Sequence, residues 1–238
     1  MPRELSGAHV VVVGATGVLG ASIAQQLTAA GARVSAIVRD HTRLDGASVA
    51  QYALADVTDH VAMHTAFASV APFDGVVNAT GVVAFGNVAE LDDATLARLF
   101  AVNAIAPIVM LRESAAHIAD GGFFVNLSGV VATQPVAGMA AYSASKAAAW
   151  AAMSAAAREL RRRRIDVVLP DLFGLEAFEV PFQGWAAGLV ILFGLSFDLL
   201  GLIEFRRHAT TINPLSPNKS SQVVSSGIYR LTRIHFTI

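Results

Sequence analysis

Short runs of apolar, mostly β-branched residues recur between residues 8 and 170, and longer alanine-rich stretches separate them. Runs of this kind, bounded by glycine, aspartate or asparagine, are typical of strands that are buried on both faces of a sheet. Strands that alternate with helices at this spacing predict an α/β fold with a doubly wound parallel sheet. The six predicted strands cover residues 9–13, 33–38, 48–54, 74–78, 122–127 and 165–169.

Helices are predicted in the intervals between these strands. The first follows a glycine-rich turn and continues to about residue 30, and the others cover residues 58–70, 90–100, 103–119 and 142–164. We interpret the four arginines at 161–164 as the solvated end of the last helix, where cations complement the helix dipole. Ligands bind at the carboxyl ends of the strands in such a sheet, which is where Gly14, Asn78 and Ser128 lie.

The first predicted strand leads directly into a loop with three glycines and then into a helix. Glycines let the backbone approach a ligand closely, and a helix N-terminus offers unpaired N–H groups and the positive end of the helix dipole. This order of strand, glycine loop and helix cradles the pyrophosphate in Rossmann-type dinucleotide sites. We therefore predict a dinucleotide-binding loop formed by Gly14, Thr16, Gly17, Val18, Leu19 and Gly20.

The second predicted strand ends in Val38-Arg39-Asp40, which bears on the choice between NAD and NADP. An acidic residue at this strand end binds the ribose 2′-hydroxyl of NAD, whereas an arginine accepts the 2′-phosphate of NADP. Val38 occupies the acidic position and Arg39 follows it, so NADP is favoured. The alternative is that Asp40 takes the role of the acid. After the third strand, Asp56 and Val57 are candidates for contact with the adenine, and Asp56 is otherwise only a helix cap.

Tyr142 and Lys146 stand four residues apart at the start of an alanine-rich stretch. On a helix, residues i and i+4 share one face, so the phenol and the ammonium face the same place. A free tyrosine has a pKa of about 10, and a nearby positive charge lowers that pKa toward the range of a useful general acid or base. We predict a proton-transfer pair; the alternative is a surface helix that merely carries both residues.

Together these motifs resemble the short-chain dehydrogenase/reductase family over about residues 8–170. The residues that carry the resemblance occur in the order and approximate spacing of the family: the glycine loop, Asp56-Val57, Asn78-Ala79-Thr80-Gly81, Asn103, Asn126-Leu127-Ser128 and Tyr142-Ser143-Ala144-Ser145-Lys146. The resemblance implies a nicotinamide cofactor that also contacts Asn78, Ala79, Gly81, Tyr142 and Lys146. It also implies a small-molecule carbonyl or alcohol as substrate.

The resemblance also implies roles for four catalytic residues. Tyr142 would protonate the carbonyl oxygen as hydride arrives from the nicotinamide, and Lys146 would lower the pKa of that tyrosine and hold the nicotinamide ribose. Ser128 would orient the substrate oxygen, and Asn103 would hold a water in the proton relay. In this scheme the cofactor carries the hydride, while the protein supplies position, a proton and a polarising hydrogen bond.

Three features depart from the pattern of that family. The glycine loop reads GxxGxxG, with Val18 where the family usually has glycine, and Val13 replaces the usual threonine before the loop. Asn78-Ala79-Thr80-Gly81 lacks the second asparagine of the family motif. The catalytic serine of the family lies thirteen residues before the tyrosine; that position is Gly129 here, and Ser128 is one position early. A catalytically silent nucleotide-binding protein is therefore the alternative function.

Composition changes the picture beyond residue 170. The chain of 238 residues is 54% hydrophobic and 15% charged, whereas soluble domains carry about 25% charged residues. Residues 185–203 form a hydrophobic stretch with a single charge, Asp198, and Arg206-Arg207 follow. This stretch has about the length of a membrane-spanning helix with a cytoplasmic flank. We predict membrane contact through about residues 185–205; a buried or dimer-forming helix is the alternative.

The segment over about residues 181–233 resembles the isoprenylcysteine carboxyl methyltransferase-like membrane family. The resemblance rests on Phe205-Arg206-Arg207-His208-Ala209-Thr210-Thr211-Ile212-Asn213-Pro214, Pro217-Asn218-Lys219 and Ser226-Gly227-Ile228-Tyr229-Arg230-Leu231-Thr232-Arg233. The part of that family that completes its S-adenosylmethionine site does not follow, so we predict no methyl transfer. A membrane methyltransferase fragment is the third functional hypothesis.

These two resemblances predict two units of unrelated origin. Residues 1–170 would be an NAD(P)-binding Rossmann domain, and residues 171–238 would be a hydrophobic helix and an irregular, loop-rich tail. The tail would replace the last strand of the dehydrogenase family and its substrate-covering segment. Since such segments exclude water from a reaction, we expect cofactor binding to survive better than substrate specificity.

Charge and cysteine content exclude several function classes. The net charge is −1 without an evident basic face, which argues against nucleic acid as a partner, and there is no cysteine for disulfides or thiolate metal sites. No metal site is predicted. The first residues lack a signal-peptide pattern, so we expect a cytoplasmic protein, with the C-terminal segment as its membrane contact. The smooth alanine-rich face at 147–157 favours close helix packing and a homo-oligomer.

Overall fold

The computed structural model describes residues 5–44, 46 and 48–170. Within this part of the chain, six parallel strands form one sheet in the order β3-β2-β1-β4-β5-β6. The predicted doubly wound parallel sheet is therefore confirmed. The strands are β1 (His9–Val13), β2 (Arg33–Val38), β3 (Gln51–Leu54), β4 (Phe73–Asn78), β5 (Ile118–Asn126) and β6 (Asp166–Val168).

Five α-helices connect these strands: α1 (Val18–Ala29), α2 (His60–Val70), α3 (Asp93–Phe100), α4 (Ala106–Ala115) and α5 (Ala140–Glu159). The two helices that we predicted on either side of Asn103 differ from expectation. A five-residue π-helical turn, Ala101–Ile105, joins α3 to α4, so the rod continues through Asn103 without a break. π-turns of this kind are rare and frequently occur at functional sites.

The sheet lies between two apolar layers. One face packs against α1, and its cluster includes Val10, Val12, Ile23, Leu27, Val77 and Val125. The other face packs against α2, α4 and α5, and its cluster includes Val11, Met63, Phe67, Met110, Phe124 and Met153. All five residues of β1 are buried, as expected for a central strand of a parallel sheet that is covered on both faces.

The continuous helical stretch Asp93–Ala115 is long and apolar enough to cross a membrane, although 44% of its most apolar window is buried inside the protein. Because it contributes Ala106, Met110 and Leu111 to the core, we interpret it as a core helix. The predicted span at 185–205, the methyltransferase-like segment and the unit at 171–238 lie outside the described residues.

The arginines after α5 are exposed as predicted at 161, 162 and 164, whereas Arg163 differs. Arg163 Nε donates to Asp120 Oδ1 at 2.7 Å, and its Nη2 donates to the Ile118 carbonyl at 2.6 Å. Its Nη1 also donates to the Ala115 carbonyl. The guanidinium thereby ties the end of α5 to the connection between α4 and β5.

Candidate active site

The glycine loop closes tightly at the carboxyl end of β1. The Gly14 N–H donates to Ile37 on β2 at 2.9 Å, and the Gly17 N–H donates back to the Gly14 carbonyl at 3.0 Å. Gly14 has a φ of +87°, which favours glycine. A Cβ atom on Gly20 would lie 2.1 Å from the Gly14 carbonyl oxygen. The first turn of α1 can therefore approach the loop only because Gly20 has no side chain.

The N-terminus of α1 opens at this loop. Gly17 is the N-cap residue, no side chain caps the helix, and no acidic residue lies in its first turn. The N–H groups of the first turn have no partners within the helix, so the first turn, which contains Val18, Leu19 and Gly20, presents donors and a positive dipole end. A backbone cradle that admits no side chain, next to open N–H groups, fits the pyrophosphate of a dinucleotide.

The carboxyl end of β2 places Arg39 next to Asp56. The guanidinium Nη1 lies 3.9 Å from Asp56 Oδ2, and the Arg39 side chain is 76% exposed. The Asp56 carboxylate accepts hydrogen bonds from the N–H and hydroxyl of Thr58, which lower the pKa of its carboxyl. Val57, the other predicted adenine contact, packs into the core, so only its backbone is free for that role.

Asp40 accepts hydrogen bonds from a neighbour in its own loop. Its Oδ1 accepts from the Thr42 N–H at 2.9 Å, and its Oδ2 accepts from the Thr42 hydroxyl at 2.9 Å. These bonds lower the pKa of the Asp40 carboxyl. Both carboxylate oxygens thus stabilise the turn after β2.

Two buried asparagines join the carboxyl ends of β4 and β5. Asn78 Nδ2 donates to Asn126 Oδ1 at 2.7 Å, while Asn78 Oδ1 accepts from the N–H and hydroxyl of Thr80. Thr80, where the family motif has alanine, packs so close to Gly14 that a Cβ on Gly14 would lie 2.7 Å from Thr80 Cγ2. Sequence reasoning missed the positioning role of Asn126, although an asparagine that ends a buried apolar strand was a usable signal.

Asn103 is buried in the π-turn and uses its amide group to hold the segment after β4. Its Oδ1 accepts from the Val82 N–H at 2.9 Å, and its Nδ2 donates to the Val82 carbonyl at 2.8 Å and to Ser145 Oγ at 3.1 Å. A Cβ on Gly81 would lie 3.5 Å from both Asn103 Oδ1 and Lys146 Nζ. The structure therefore brings Asn103, Gly81 and Lys146 together.

Tyr142 and Lys146 face the same region from the first turns of α5. Lys146 Nζ lies 6.0 Å from the centroid of the Tyr142 ring and donates to the Leu127 carbonyl at 3.2 Å. Lys146 is only 7% exposed, and burial lowers the pKa of its ammonium group to about 8.

The expected effect of Lys146 on Tyr142 is not what the structure shows. Burial raises the pKa of the Tyr142 phenol above its ordinary value, because desolvation penalises the phenolate. Tyr142 is therefore a protonated phenol near neutral pH, which suits a proton donor better than a resting base.

Ser128 is buried beyond the end of β5, and its Oγ has no hydrogen-bond partner among the described residues. Along this strand Phe123, Val125 and Leu127 pack on the α1 face, whereas Phe124 packs on the face that carries α5. Since successive side chains of a strand alternate, continued alternation directs Ser128 to the α5 side. The Ser128 hydroxyl is unpaired but enclosed by its surroundings.

Gly129, at the serine position of the family, is extended, with φ −162° and ψ 151°. Any residue can adopt this conformation. A Cβ at this position would meet only Val131 Cγ2, at 3.7 Å. The site therefore has room for a serine at 129, although the chain carries none.

A family model described as short chain dehydrogenase matches residues 8–171. An uncharacterized oxidoreductase of Methylorubrum extorquens is 32% identical over 227 residues, covering 85% of this chain and 91% of that protein. Galactitol 2-dehydrogenase (L-tagatose-forming) of Cereibacter sphaeroides is 35% identical over 189 residues, covering 73% of this chain and 74% of that enzyme.

Solved structures agree with this assignment. A short chain dehydrogenase from Burkholderia cenocepacia in complex with NADP is 32% identical, with a TM-score of 0.65 over 70% of this chain and 74% of that one. Fold and comparisons thus indicate a Rossmann-type oxidoreductase that uses a nicotinamide cofactor and acts on a small molecule. The chain belongs to the short-chain dehydrogenase family.

Proposed function

We propose that this protein is an NADP-preferring oxidoreductase that interconverts a carbonyl and an alcohol. The observation that carries the proposal is the placement of Tyr142 and Lys146 on one face of α5, with the ammonium nitrogen 6.0 Å from the phenol ring. The unpaired hydroxyl of Ser128 supports it, because it is a buried donor with no other partner among the described residues.

In this proposal, the bound nicotinamide supplies the hydride. The Tyr142 phenol donates its proton to the carbonyl oxygen, and its raised pKa keeps that proton in place at neutral pH. Lys146, with a pKa of about 8, is mostly cationic at pH 7 and stabilises the phenolate that remains. Ser128 orients the substrate oxygen with a hydrogen bond.

Asn103 takes part through its backbone. Its side-chain amide is already bonded to Val82 and Ser145, so the proton-relay water is better assigned to its carbonyl oxygen. The residue four positions on is Pro107, which has no N–H to bond that carbonyl in an α-helical pattern.

Replacement of Tyr142 by phenylalanine tests the reaction. We expect Tyr142→Phe to lower kcat by about a hundredfold or more, because the proton donor is lost while the ring and its packing remain. The NADPH dissociation constant, followed by cofactor fluorescence, should stay within about twofold of the unchanged protein. Unchanged turnover in this variant would refute the proposed role of the phenol.

The preference for NADP rests on Arg39 and Asp40. Asp40 has both oxygens bonded to Thr42, whereas Arg39 reaches solvent with only a long contact to Asp56. We expect Arg39→Met to weaken NADPH binding by about tenfold or more and to leave NADH binding nearly unchanged. Arg158→Met is the control, because Arg158 is also an exposed arginine but lies on α5. Tighter binding of NADH than NADPH by the unchanged protein would contradict the preference.

A catalytically silent nucleotide-binding protein is the second candidate, and Gly129 at the serine position favours it. Such a protein would bind NADPH and turn over no carbonyl compound. Turnover that depends on Tyr142 would eliminate this candidate.

We also propose a homo-oligomer. Ile105, Ile108 and Trp150 are 47%, 44% and 40% exposed, which suits contact with a second copy. Sedimentation of the full chain would measure the assembly.

We retain the proposed division at residues 170 and 171, a cytoplasmic location and membrane contact through 185–205. Co-sedimentation with lipid vesicles tests that contact, and S-adenosylmethionine binding would revive the methyltransferase hypothesis.

A further inference from the structure

An apolar cleft opens beside the start of α5. One wall is the connection after β4, residues 84–91, and the other is residues 138–141 at the entrance to α5. The cleft is shallow and open to solvent at its front, and every residue that lines it is apolar or glycine. The side chains that form its two walls are Ala84, Phe85, Val88, Leu91, Met139 and Ala141.

The cleft adjoins the proposed proton donor. Met139 belongs to the same apolar cluster against which Tyr142 packs, and Ala141 directly precedes that tyrosine in α5. The Gly86 N–H donates to the Gly138 carbonyl at 2.9 Å, so a backbone hydrogen bond ties the two walls together. The cleft therefore lies beside the helical turn that carries the phenol, and its two walls are held at a fixed spacing.

The side chains of both walls are apolar. Val88 is 74% exposed and Phe85 is 50% exposed, so large apolar surface faces the opening. Asp92, just beyond the first wall, caps α3 by accepting from the N–H and hydroxyl of Thr95 and is not among the lining residues. The lining side chains carry no hydroxyl, amide or charged group, so a substrate hydroxyl would meet only backbone polar atoms there.

We propose that this cleft binds a small alkyl substituent of the carbonyl substrate, an inference that rests on the proposed function. The substrate class is then a ketone or aldehyde with a compact apolar group, not a polyhydroxylated compound of the kind that the galactitol 2-dehydrogenase relative is named for. Each buried methylene adds about fourfold in affinity, whereas each hydroxyl left without a partner loses about fivefold or more.

Diethyl ketone and dihydroxyacetone form a matched pair of probes, because hydroxyls in the second replace the terminal methyls of the first. Their dissociation constants are measured by ligand-observed NMR on the full chain saturated with NADP⁺. We expect diethyl ketone to bind at least about tenfold more tightly. Reduction of both probes by NADPH is recorded separately.

Val88→Asp places a charge on the cleft wall at an exposed position, and Val61→Asp is the matched control. Val61 lies on α2, away from the cleft, and is 77% exposed, compared with 74% for Val88. We expect Val88→Asp to weaken diethyl ketone binding at least about fivefold without changing NADPH affinity, and Val61→Asp to change neither.

The outcomes separate this inference from the proposed function. Equal or tighter binding of dihydroxyacetone, no binding of diethyl ketone, or no effect of Val88→Asp would each overturn the assignment of the cleft. Tight, Val88-dependent binding of diethyl ketone without reduction would support the cleft and count against the proposed reaction.

Discussion

The glycine loop after β1 and the polar cluster between β4, β5 and α5 face the same edge of the sheet, but different forces hold them in place. The loop is fixed by the absence of side chains, since a Cβ on Gly20 would meet the Gly14 carbonyl at 2.1 Å. The cluster is fixed by buried hydrogen bonds of Asn78 and Asn103 and contains a buried amine, Lys146. The comparison teaches that an added side chain should disrupt the glycine loop. Removal of a charge or a hydrogen-bonding group should disrupt the polar cluster.

The largest effect is expected from Gly20→Ala. Its methyl group would overlap the backbone of Gly14, and backbone cannot move aside cheaply, so we expect NADPH binding to become undetectable and the free energy of unfolding to fall by about 1–3 kcal/mol. Titration with NADPH and urea denaturation measure the two quantities.

Gly17→Ala is the matched control in the same loop. A Cβ there would lie 3.4 Å from the Gly14 oxygen, which is close to ordinary contact, and φ is −79°. Because Gly17 belongs to the predicted cofactor loop, this control is read on stability, and we expect the free energy of unfolding to change by no more than about 0.5 kcal/mol. An equal loss of stability in both variants would show that steric exclusion is not what holds the loop.

The next effect concerns Lys146 and has opposite signs for activity and stability. Lys146→Met should lower kcat by about a hundredfold, because the phenolate of Tyr142 loses its cation. At pH 7 the same change should raise the free energy of unfolding by up to about 3 kcal/mol, since the buried charge is removed.

The pH dependence of stability follows from the same group. The ammonium pKa is about 8 when folded, below its ordinary value of 10.5, so the unfolded chain binds more protons between these pH values. Its contribution to stability therefore rises with pH from about 8 to about 10.5 and is lowest below this window. Urea denaturation across this range should show the rise in the unchanged protein and its loss in Lys146→Met. Parallel curves would refute the buried charge.

The smallest effect concerns the substrate-orienting hydroxyl. We expect Ser128→Ala to lower kcat/KM about tenfold without changing cofactor affinity. Gly129→Ser should raise kcat/KM severalfold, since the extended backbone and the open space at 129 accept a serine. If Ser128→Ala leaves kcat/KM unchanged while Gly129→Ser raises it, the hydroxyl at 128 has no part in the reaction.

The order of strands and helices was predictable because apolar runs and glycine punctuation report burial and turns locally. The glycine loop, Tyr142 and Lys146 were predictable for a similar reason, as their spacing alone places them at a strand end and on one helix face. The engagement of Asp40 by Thr42 was visible in outline, since an aspartate two residues before a threonine commonly forms such a turn.

Other features required the three-dimensional structure. The bond between Asn78 and Asn126 joins residues far apart in sequence, and no local pattern pairs them. The raised pKa of Tyr142 depends on burial, which outweighs the sequence argument from a neighbouring charge. Arg163 binds partners more than forty residues away, so a run of four arginines concealed one anchoring side chain. The apolar cleft depends on two loops that meet through Gly86 and Gly138.

The π-turn at Ala101–Ile105 can be understood as a one-residue insertion in a helix. Each residue of an α-helix advances the face by about 100°, so removing one residue here would rotate α4 by that angle relative to α3. Either Asn103 would lose Val82 and Ser145, or the apolar side of α4 at Ala106 and Met110 would turn from the sheet. With the extra residue, one continuous helical stretch can hold the polar contacts of Asn103 and also turn the apolar side of α4 toward the core. In an alignment of related sequences, a one-residue deletion at this turn would therefore be expected to accompany a change in the role of the residue at position 103.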